Sequence, residues 1–160
     1  MAYSLNEIID IAIGIEDTGF EFYTECGEIF KDPLIKDVFG FLAREELAHK
    51  RTFQSLRSSD YGKSGVPTEE YYLYLKAIGS ARLFGEQKKN IVRVISEITT
   101  PMAAIKNALA LEKESILFYT EMKELYRGEK KPTELVNTII DEERKHVATL
   151  YDLSQKIRLT

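Results

Sequence analysis

The chain of 160 residues and 18.4 kDa is about the size of one domain with a substantial core. Its composition, 44% hydrophobic and 30% charged, is typical of a folded helical protein, and its net charge of −4 argues against nucleic acid as a partner. No apolar stretch approaches the ~20 residues of a membrane helix, and the start, MAYSLNEIID, lacks the features of a signal peptide. We therefore expect no membrane association and a cytoplasmic location, where the single cysteine, Cys26, stays reduced.

Helical periodicity predicts four long helices, here named A to D, and local signals mark their ends. The stretch Ser4-Leu5-Asn6-Glu7 is a capping box, which predicts helix A over residues 5–30. Asp32 is a favourable N-cap and Pro33 suits the first helical position, so helix B is predicted over residues 33–57.

The stretch from 58 to 99 is predicted to be a crossover between two helix pairs. It begins with a loop rich in glycine and serine and continues with a short aromatic helix from Thr68. A less regular segment, 85–98, contains some helix. We expect the aromatic part to cover one side of the molecule and to contribute to a homodimer.

Helix C is predicted over residues 101–126, because Thr100 and Pro101 repeat the pattern of an N-cap followed by proline. Gly128 ends helix C, and Pro132 opens helix D over residues 132–157. The short A–B and C–D connections make each pair antiparallel. The sequence thus predicts a single all-α domain over residues 1–160, a four-helix bundle of two hairpins joined by the long crossover.

The two predicted hairpins share a sequence pattern. EDTGFEFY at 16–23 matches EKESILFY at 112–119, and EELAH at 45–49 matches EERKH at 142–146. The offsets are 96 and 97 residues. This repeat predicts a bundle with approximate twofold symmetry.

The only two histidines, His49 and His146, each follow a glutamate by three residues within an apolar helical row. In helix D the row through Glu143 is otherwise apolar, whereas the row through Glu142 is polar and belongs to the solvated face. In helix B the row through Glu46 is the more apolar one. Both Glu-x-x-His pairs are therefore predicted to point into the bundle.

Helices A and C each place one glutamate in a comparable row. In helix A, Glu16 follows Ile9 and Ile13 and precedes Phe20 and Tyr23 at helical spacing. Helix C repeats this arrangement. The six ionisable residues predicted to point inward are Glu16, Glu46, His49, Glu112, Glu143 and His146.

Six ionisable side chains inside a bundle need a compensating charge, because burial of an unpaired carboxylate is costly. Two divalent cations would neutralise the four carboxylates and leave the imidazoles neutral. Oxygen and imidazole ligands suit iron or manganese, and zinc is also accommodated. We therefore predict a dinuclear metal site, in a pattern similar to that of ferritin-like di-iron bundles.

These residues resemble the rubrerythrin branch of the ferritin-like superfamily over nearly the whole chain. The resemblance implies that the six residues bind two iron ions, with Glu46 and Glu143 bridging the ions and Glu16 and Glu112 terminal.

Tyr23 and Tyr119 lie two turns after the ligands of helices A and C. By the resemblance they would be supporting catalytic residues that hydrogen-bond ligand carboxylates and order them, while ordinary core packing accounts for the same positions. Rubrerythrins carry a further glutamate where this chain has Ser115, so we expect ligand exchange through that carboxylate to be lost.

The resemblance implies a di-iron oxidoreductase that reduces hydrogen peroxide or activates dioxygen. A manganese enzyme of the catalase type, an iron-binding or ferroxidase protein of the storage type, and an interaction bundle without activity are the alternatives. The four cysteines of a rubredoxin domain do not occur in this sequence. Electrons would therefore come from an external reductant, such as a rubredoxin-type protein.

Overall fold

The computed structural model of this protein describes residues 4–62, 65–79 and 88–159. Within those ranges the chain forms α-helices and one short 3₁₀ helix, Glu124–Tyr126, with no β-strand. In chain order the α-helices are α1 (Leu5–Ile29), α2 (Pro33–Arg57), α3 (Glu69–Gly79), α4 (Lys88–Glu97), α5 (Pro101–Lys123) and α6 (Lys130–Arg158).

The four long helices form two hairpins. Helix α1 packs along α2, and α5 packs along α6, while α1 meets α5 and α2 meets α6 where the hairpins join. Only residues 30–32 separate α1 from α2, so the two helices are antiparallel. The predicted all-α four-helix bundle, made of two hairpins and a long crossover, is confirmed.

Two helix starts form as the sequence predicts. The Oδ1 atom of Asp32 accepts hydrogen bonds from the backbone N–H groups of Leu34, at 2.8 Å, and Ile35, at 3.3 Å. The hydroxyl of Thr100 accepts one from the N–H of Ala103 at 3.1 Å. In both helices a proline follows the cap, where its missing N–H leaves no helical hydrogen bond unmade.

Two other start signals do not act as predicted, although α1 begins at Leu5 as expected. The side chain of Ser4 makes no capping hydrogen bond, and the carboxylate of Glu7 instead accepts one from the hydroxyl of Tyr72 at 2.8 Å. A partner from the crossover therefore replaces the local capping box. Helix α6 begins at Lys130, two residues before Pro132, which a first turn tolerates because its N–H groups lack helical acceptors anyway.

The crossover helices lie against the first and third long helices. Helix α3 packs on α1 and α5, and α4 packs on α1. Tyr72 and Leu75 are buried, whereas Leu73 and Tyr74 are 55% and 41% exposed. The predicted covering role is therefore visible for α3. The predicted segment 85–98 includes α4, while residues 80–87 lie outside the described part of the chain, and the homodimer stays a prediction.

The buried polar residues meet about halfway along the bundle. Each long helix carries one buried glutamate near its midpoint, with buried apolar and aromatic side chains toward both ends. Among the described residues, no helix is both long and hydrophobic enough to span a membrane.

Candidate metal centre

The structure brings together the six ionisable residues that the sequence places inside the bundle. Each of these residues is at most 3% exposed. Every long helix contributes at least one, and α2 and α6 contribute a glutamate and a histidine each, one helical turn apart. The residues are Glu16, Glu46, His49, Glu112, Glu143 and His146.

Their ligand atoms form two overlapping groups. In each group, four atoms lie within 4.8 Å of one another, which is close enough for all four to contact a single cation. Glu46 and Glu143 belong to both groups. Glu16 and His49 complete the first group, and Glu112 and His146 complete the second.

Both histidines turn the Nδ1 atom toward the carboxylates. The Nδ1 atom of His49 lies 3.3 Å from Oε1 of Glu143. The Nδ1 atom of His146 lies 2.9 Å from Oε2 of the same glutamate and 3.5 Å from one oxygen each of Glu46 and Glu112. Equivalent nitrogens of the two rings therefore face the centre, as the repeat in the sequence predicts.

Several inward-facing atoms have no hydrogen-bond partner within the described residues. They include one carboxylate oxygen from each of the four glutamates and the Nδ1 atom of His49. Buried polar atoms in proteins are normally paired, because each unpaired one costs roughly 1–3 kcal/mol. An unpaired set of oxygen and nitrogen donors that converges in two groups fits a pair of divalent cations.

The pKa values of the cluster reflect crowded, buried carboxyl groups. Burial raises the pKa of Glu16 well above its ordinary value, and the charges of Glu46 and Glu143 raise it further. Burial, together with the charge of Glu112, raises the pKa of Glu143 to about 7. Without a cation the cluster therefore retains protons that a bound metal would displace.

Two tyrosines cross-connect the hairpins at the centre. The hydroxyl of Tyr23 on α1 donates a hydrogen bond to Oε1 of Glu112 on α5, and Tyr119 on α5 donates one to Oε1 of Glu16 on α1. Burial raises the pKa of both phenols well above 10, so both remain donors. Each hydrogen bond occupies Oε1 and leaves Oε2 of the same carboxylate directed at the cluster.

A glycine in α1 leaves room for one of the shared carboxylates. A Cβ atom at Gly19 would lie 2.3 Å from Oε2 of Glu46. The helical row of Glu16 therefore continues through buried Gly19, and not through Phe20, which is 37% exposed. The sequence analysis missed this because a period of 3.6 residues allows either the third or the fourth following residue.

Ser115 occupies the position in α5 that matches Gly19 in the repeat. Its side chain is 4% exposed, and its hydroxyl donates to the backbone carbonyl of Leu111 at 3.0 Å. The hydroxyl is thus directed along its own helix. Both of these matching positions carry small residues next to the cluster.

Glu142 reaches the site from a face that the sequence analysis assigned to solvent. Its side chain is 35% exposed, yet its Oε2 atom lies 2.9 Å from Nε2 of His49. The carboxylate can only accept, so the imidazole donates this hydrogen bond. The glutamate that precedes Glu143 in the sequence is the signal for this second carboxylate, although its match in the first hairpin, Glu45, makes no such hydrogen bond with His146 in the described residues.

A four-helix bundle with a buried cluster of carboxylates and imidazoles defines the class of ferritin-like diiron-carboxylate folds. The structure is similar to the crystal structure of a protein from Thermotoga maritima described as ferritin-like and diiron-carboxylate. The TM-score is 0.76, with 23% sequence identity over 97% of each chain. A likeness at this level of identity shows the ferritin-like fold.

The chain belongs to the rubrerythrin family, whose family model matches residues 7–94. The matched region spans α1 to most of α4 and includes Glu16, Glu46 and His49. A comparison with curated proteins finds no significant match.

Proposed function

We propose that the protein is a di-iron oxidoreductase that reduces hydrogen peroxide, or activates dioxygen, with electrons from a separate donor. The observation that supports this most is the pair of overlapping buried groups, each with three carboxylates and one imidazole. Membership of the rubrerythrin family and the similarity to a diiron-carboxylate protein favour iron over manganese or zinc.

The sharing of residues between the groups supports distinct roles for the glutamates. Glu46 and Glu143 occur in both groups and are the proposed bridging ligands. Glu16 and Glu112 occur in one group each and are the proposed terminal ligands. A bridging carboxylate lowers the repulsion between two nearby cations, so this arrangement suits two ions a few ångströms apart.

Two ferrous ions at this site would supply the two electrons that, with two protons, convert hydrogen peroxide into two water molecules. The protein residues hold the site in shape. Tyr23 and Tyr119 fix Oε1 of the two terminal carboxylates, and their raised pKa values keep them protonated at neutral pH. The buried rings of Phe39, against Tyr23, and of Phe53, against Tyr119, lie on opposite sides of the site and exclude bulk water from both ends of it.

The small residue at Ser115 is the proposed place for the oxidant. Its side chain is buried and bonded to its own helix, so no carboxylate projects from this position toward the cluster. Room for a small molecule such as peroxide is the expected consequence, and ligand exchange through a further glutamate is not part of the proposal.

An external reductant returns the site to its reduced state in this proposal. The 160 residues contain one cysteine, Cys26, which is buried, so they cannot provide the four thiolates of a rubredoxin site. A separate rubredoxin-type protein or a small-molecule reductant is the proposed donor. A homodimer is the proposed assembly.

The test is anaerobic loading of the metal-free protein with two equivalents of Fe(II), followed by stopped-flow mixing with hydrogen peroxide or with air-saturated buffer. Oxidation much faster than that of free Fe(II) supports the proposal, and the faster of the two oxidants identifies the substrate. Glu46→Ala should abolish fast oxidation, whereas the matched variant Glu45→Ala, outside both groups, should retain it. Oxidation no faster than that of free Fe(II) contradicts the proposal.

Two further measurements separate the alternatives. Metal analysis of protein expressed with iron and manganese both available, combined with detection of dioxygen released from peroxide, identifies a catalase-type manganese enzyme. The native mass separates a dimer from the large hollow shell that iron storage requires.

A further inference from the structure

The two halves of the candidate metal centre differ in what holds the outer nitrogen of each histidine. The Nε2 atom of His49 donates to Glu142 at 2.9 Å. The Nε2 atom of His146 has no hydrogen-bond partner among the described residues, although its ring is only 2% exposed. One imidazole is therefore oriented from both sides and the other from one side only.

This difference breaks the symmetry that the sequence repeat establishes. The residue that matches Glu142 in the first hairpin is Glu45, which also precedes a shared glutamate. The ring of Phe41 stands edge-on to His146 with a centroid distance of 6.3 Å. The position matching Phe41 in α6 is Thr138, which is exposed and donates to the carbonyl of Glu134.

The hydrogen bond from His49 has a direct consequence for its ligand atom. Since Nδ1 faces the carboxylates, Nε2 must carry the proton when Nδ1 binds a cation. For His49 that proton is donated to a carboxylate, which fixes the tautomer and makes Nδ1 a stronger base. For His146 no such acceptor is present in the described residues, and the buried N–H of its bound form stays unpaired.

The charge of Glu142 also favours cation binding in the half that contains His49. Each group contains three carboxylates, so the two halves carry the same formal charge from their ligands. Glu142 places a fourth carboxylate against the first group through His49. A divalent cation in that half gains an additional favourable interaction, which is only partly screened because Glu142 is 35% exposed.

We propose that Glu142 is a positioning residue that makes the half containing Glu16 and His49 the tighter of the two metal positions, so that it fills first. This inference rests on the proposed dinuclear site but not on the proposed reaction. The centre then binds metal in two unequal steps, in spite of the twofold repeat of its ligands.

The test is a calorimetric titration of the metal-free protein with Mn(II) at constant pH. The wild type should bind two equivalents, with the first at least about tenfold tighter. Glu142→Gln, which keeps the size of the side chain but removes its charge, should weaken the first step by about 10–100-fold. The matched variant Glu45→Gln should leave both steps within about twofold of the wild type.

The location of the first ion provides a second measurement. In crystals grown with one equivalent of Mn(II), the anomalous scattering should lie next to His49 in the wild type and divide between both halves in Glu142→Gln. Circular dichroism of the metal-free variants should match that of the wild type, since both substituted residues are partly exposed and glutamine keeps an oxygen that can accept from His49. A loss of affinity in Glu142→Gln then reflects the metal position and not the fold.

The inference is overturned if Glu142→Gln leaves both binding constants unchanged, or if Glu45→Gln weakens binding equally. Either outcome leaves the proposed oxidoreductase function intact, because two ions are still bound. A wild type that binds no divalent metal overturns both proposals. A protein that binds two ions in unequal steps but oxidises Fe(II) slowly overturns only the proposed reaction.

Discussion

Tyr119 on α5 donates a hydrogen bond to Glu16 on α1, which ties one hairpin to the other across the buried centre. Tyr23 and Glu112 make the same connection in the opposite direction. Because each hairpin supplies both a donor and an acceptor, the four residues fix how the hairpins face one another. The two tyrosines also orient Glu16 and Glu112, the carboxylates that belong to only one of the two overlapping groups each.

Removal of the Tyr119 hydroxyl tests this connection. In Tyr119→Phe the Oε1 atom of Glu16 loses its donor in a fully buried setting, and we expect the metal-free protein to lose about 1–3 kcal/mol of stability. The matched variant Tyr151→Phe, at a 62% exposed position, should change stability by less than about 0.5 kcal/mol. Urea unfolding measures the free energy of unfolding of both variants. Equal changes in the two variants would show that the buried Tyr119 hydroxyl contributes no more to stability than an exposed one.

Two glycines in the interior of α1 should respond oppositely to alanine. A Cβ at Gly14 meets no atom within 4 Å, so Gly14→Ala should stabilise the protein by about 0.5–1 kcal/mol through helix propensity. A Cβ at Gly19 would lie 2.3 Å from Oε2 of Glu46 and displace that carboxylate. We expect Gly19→Ala to weaken Mn(II) binding at least about tenfold, whereas Gly14→Ala leaves it unchanged. Unaltered binding in Gly19→Ala would mean that the position of Glu46 is not restricted there.

Shared and unshared glutamates should differ in metal stoichiometry. Glu143 belongs to both groups, so Glu143→Gln should weaken binding of both ions. Glu16 belongs to one group, so Glu16→Gln should chiefly lose one ion and retain about one equivalent. Metal analysis after dialysis against a fixed concentration of Mn(II) measures this difference. Retention of one ion by Glu143→Gln and of none by Glu16→Gln would contradict the assignment of the shared residue.

The stability of the metal-free protein should fall as the pH rises from 5 to 8. Burial and the charge of Glu112 raise the pKa of Glu143 from 4.5 to about 7, so the folded state holds an additional proton between these values. Burial lowers the pKa of His49 and His146, but the glutamate carboxylates next to each ring outweigh this and raise both values from 6.5 to about 12. A group with a raised folded pKa stabilises fully below its unfolded pKa, and that contribution is lost as pH rises through the folded value.

Bound metal should reverse this trend, because cations displace the retained protons. The increase in melting temperature caused by Mn(II) should therefore grow between pH 5 and pH 8. Thermal unfolding with and without Mn(II) at each pH provides the measurement, and Glu143→Gln should show a flatter profile without metal. A wild type without metal that becomes more stable over this range would contradict the expected protonation of the cluster.

The sequence predicts the six clustered residues because each interrupts an otherwise apolar row. Glu143 and His146 lie one turn apart in such a row, and helix B repeats the arrangement with Glu46 and His49. Burial of all of them is visible in the structure. Helical periodicity suffices for this result, because an inward polar residue stands out against its apolar neighbours. Their role as metal ligands stays a prediction.

The features that the sequence analysis missed depend on contacts between distant segments. Glu7 accepts a hydrogen bond from Tyr72, which lies 65 residues further along the chain. A local capping rule could therefore not predict that Tyr72 replaces Ser4 as the partner of Glu7. Glu142 reaches His49 across 93 residues from a polar helical row. Long flexible side chains can reach over the edge of a helix face, and periodicity alone contains no information on that reach.

Each metal group takes most of its atoms from one hairpin and a single glutamate from the other. Glu143 completes the set formed by Glu16, Glu46 and His49, and Glu46 completes the opposite set. An isolated hairpin therefore lacks at least one carboxylate of each group, and both groups are complete only when the two hairpins pack together. Two cations bound as proposed would hold the hairpins together along this contact and would add to the stability of the metal-free protein.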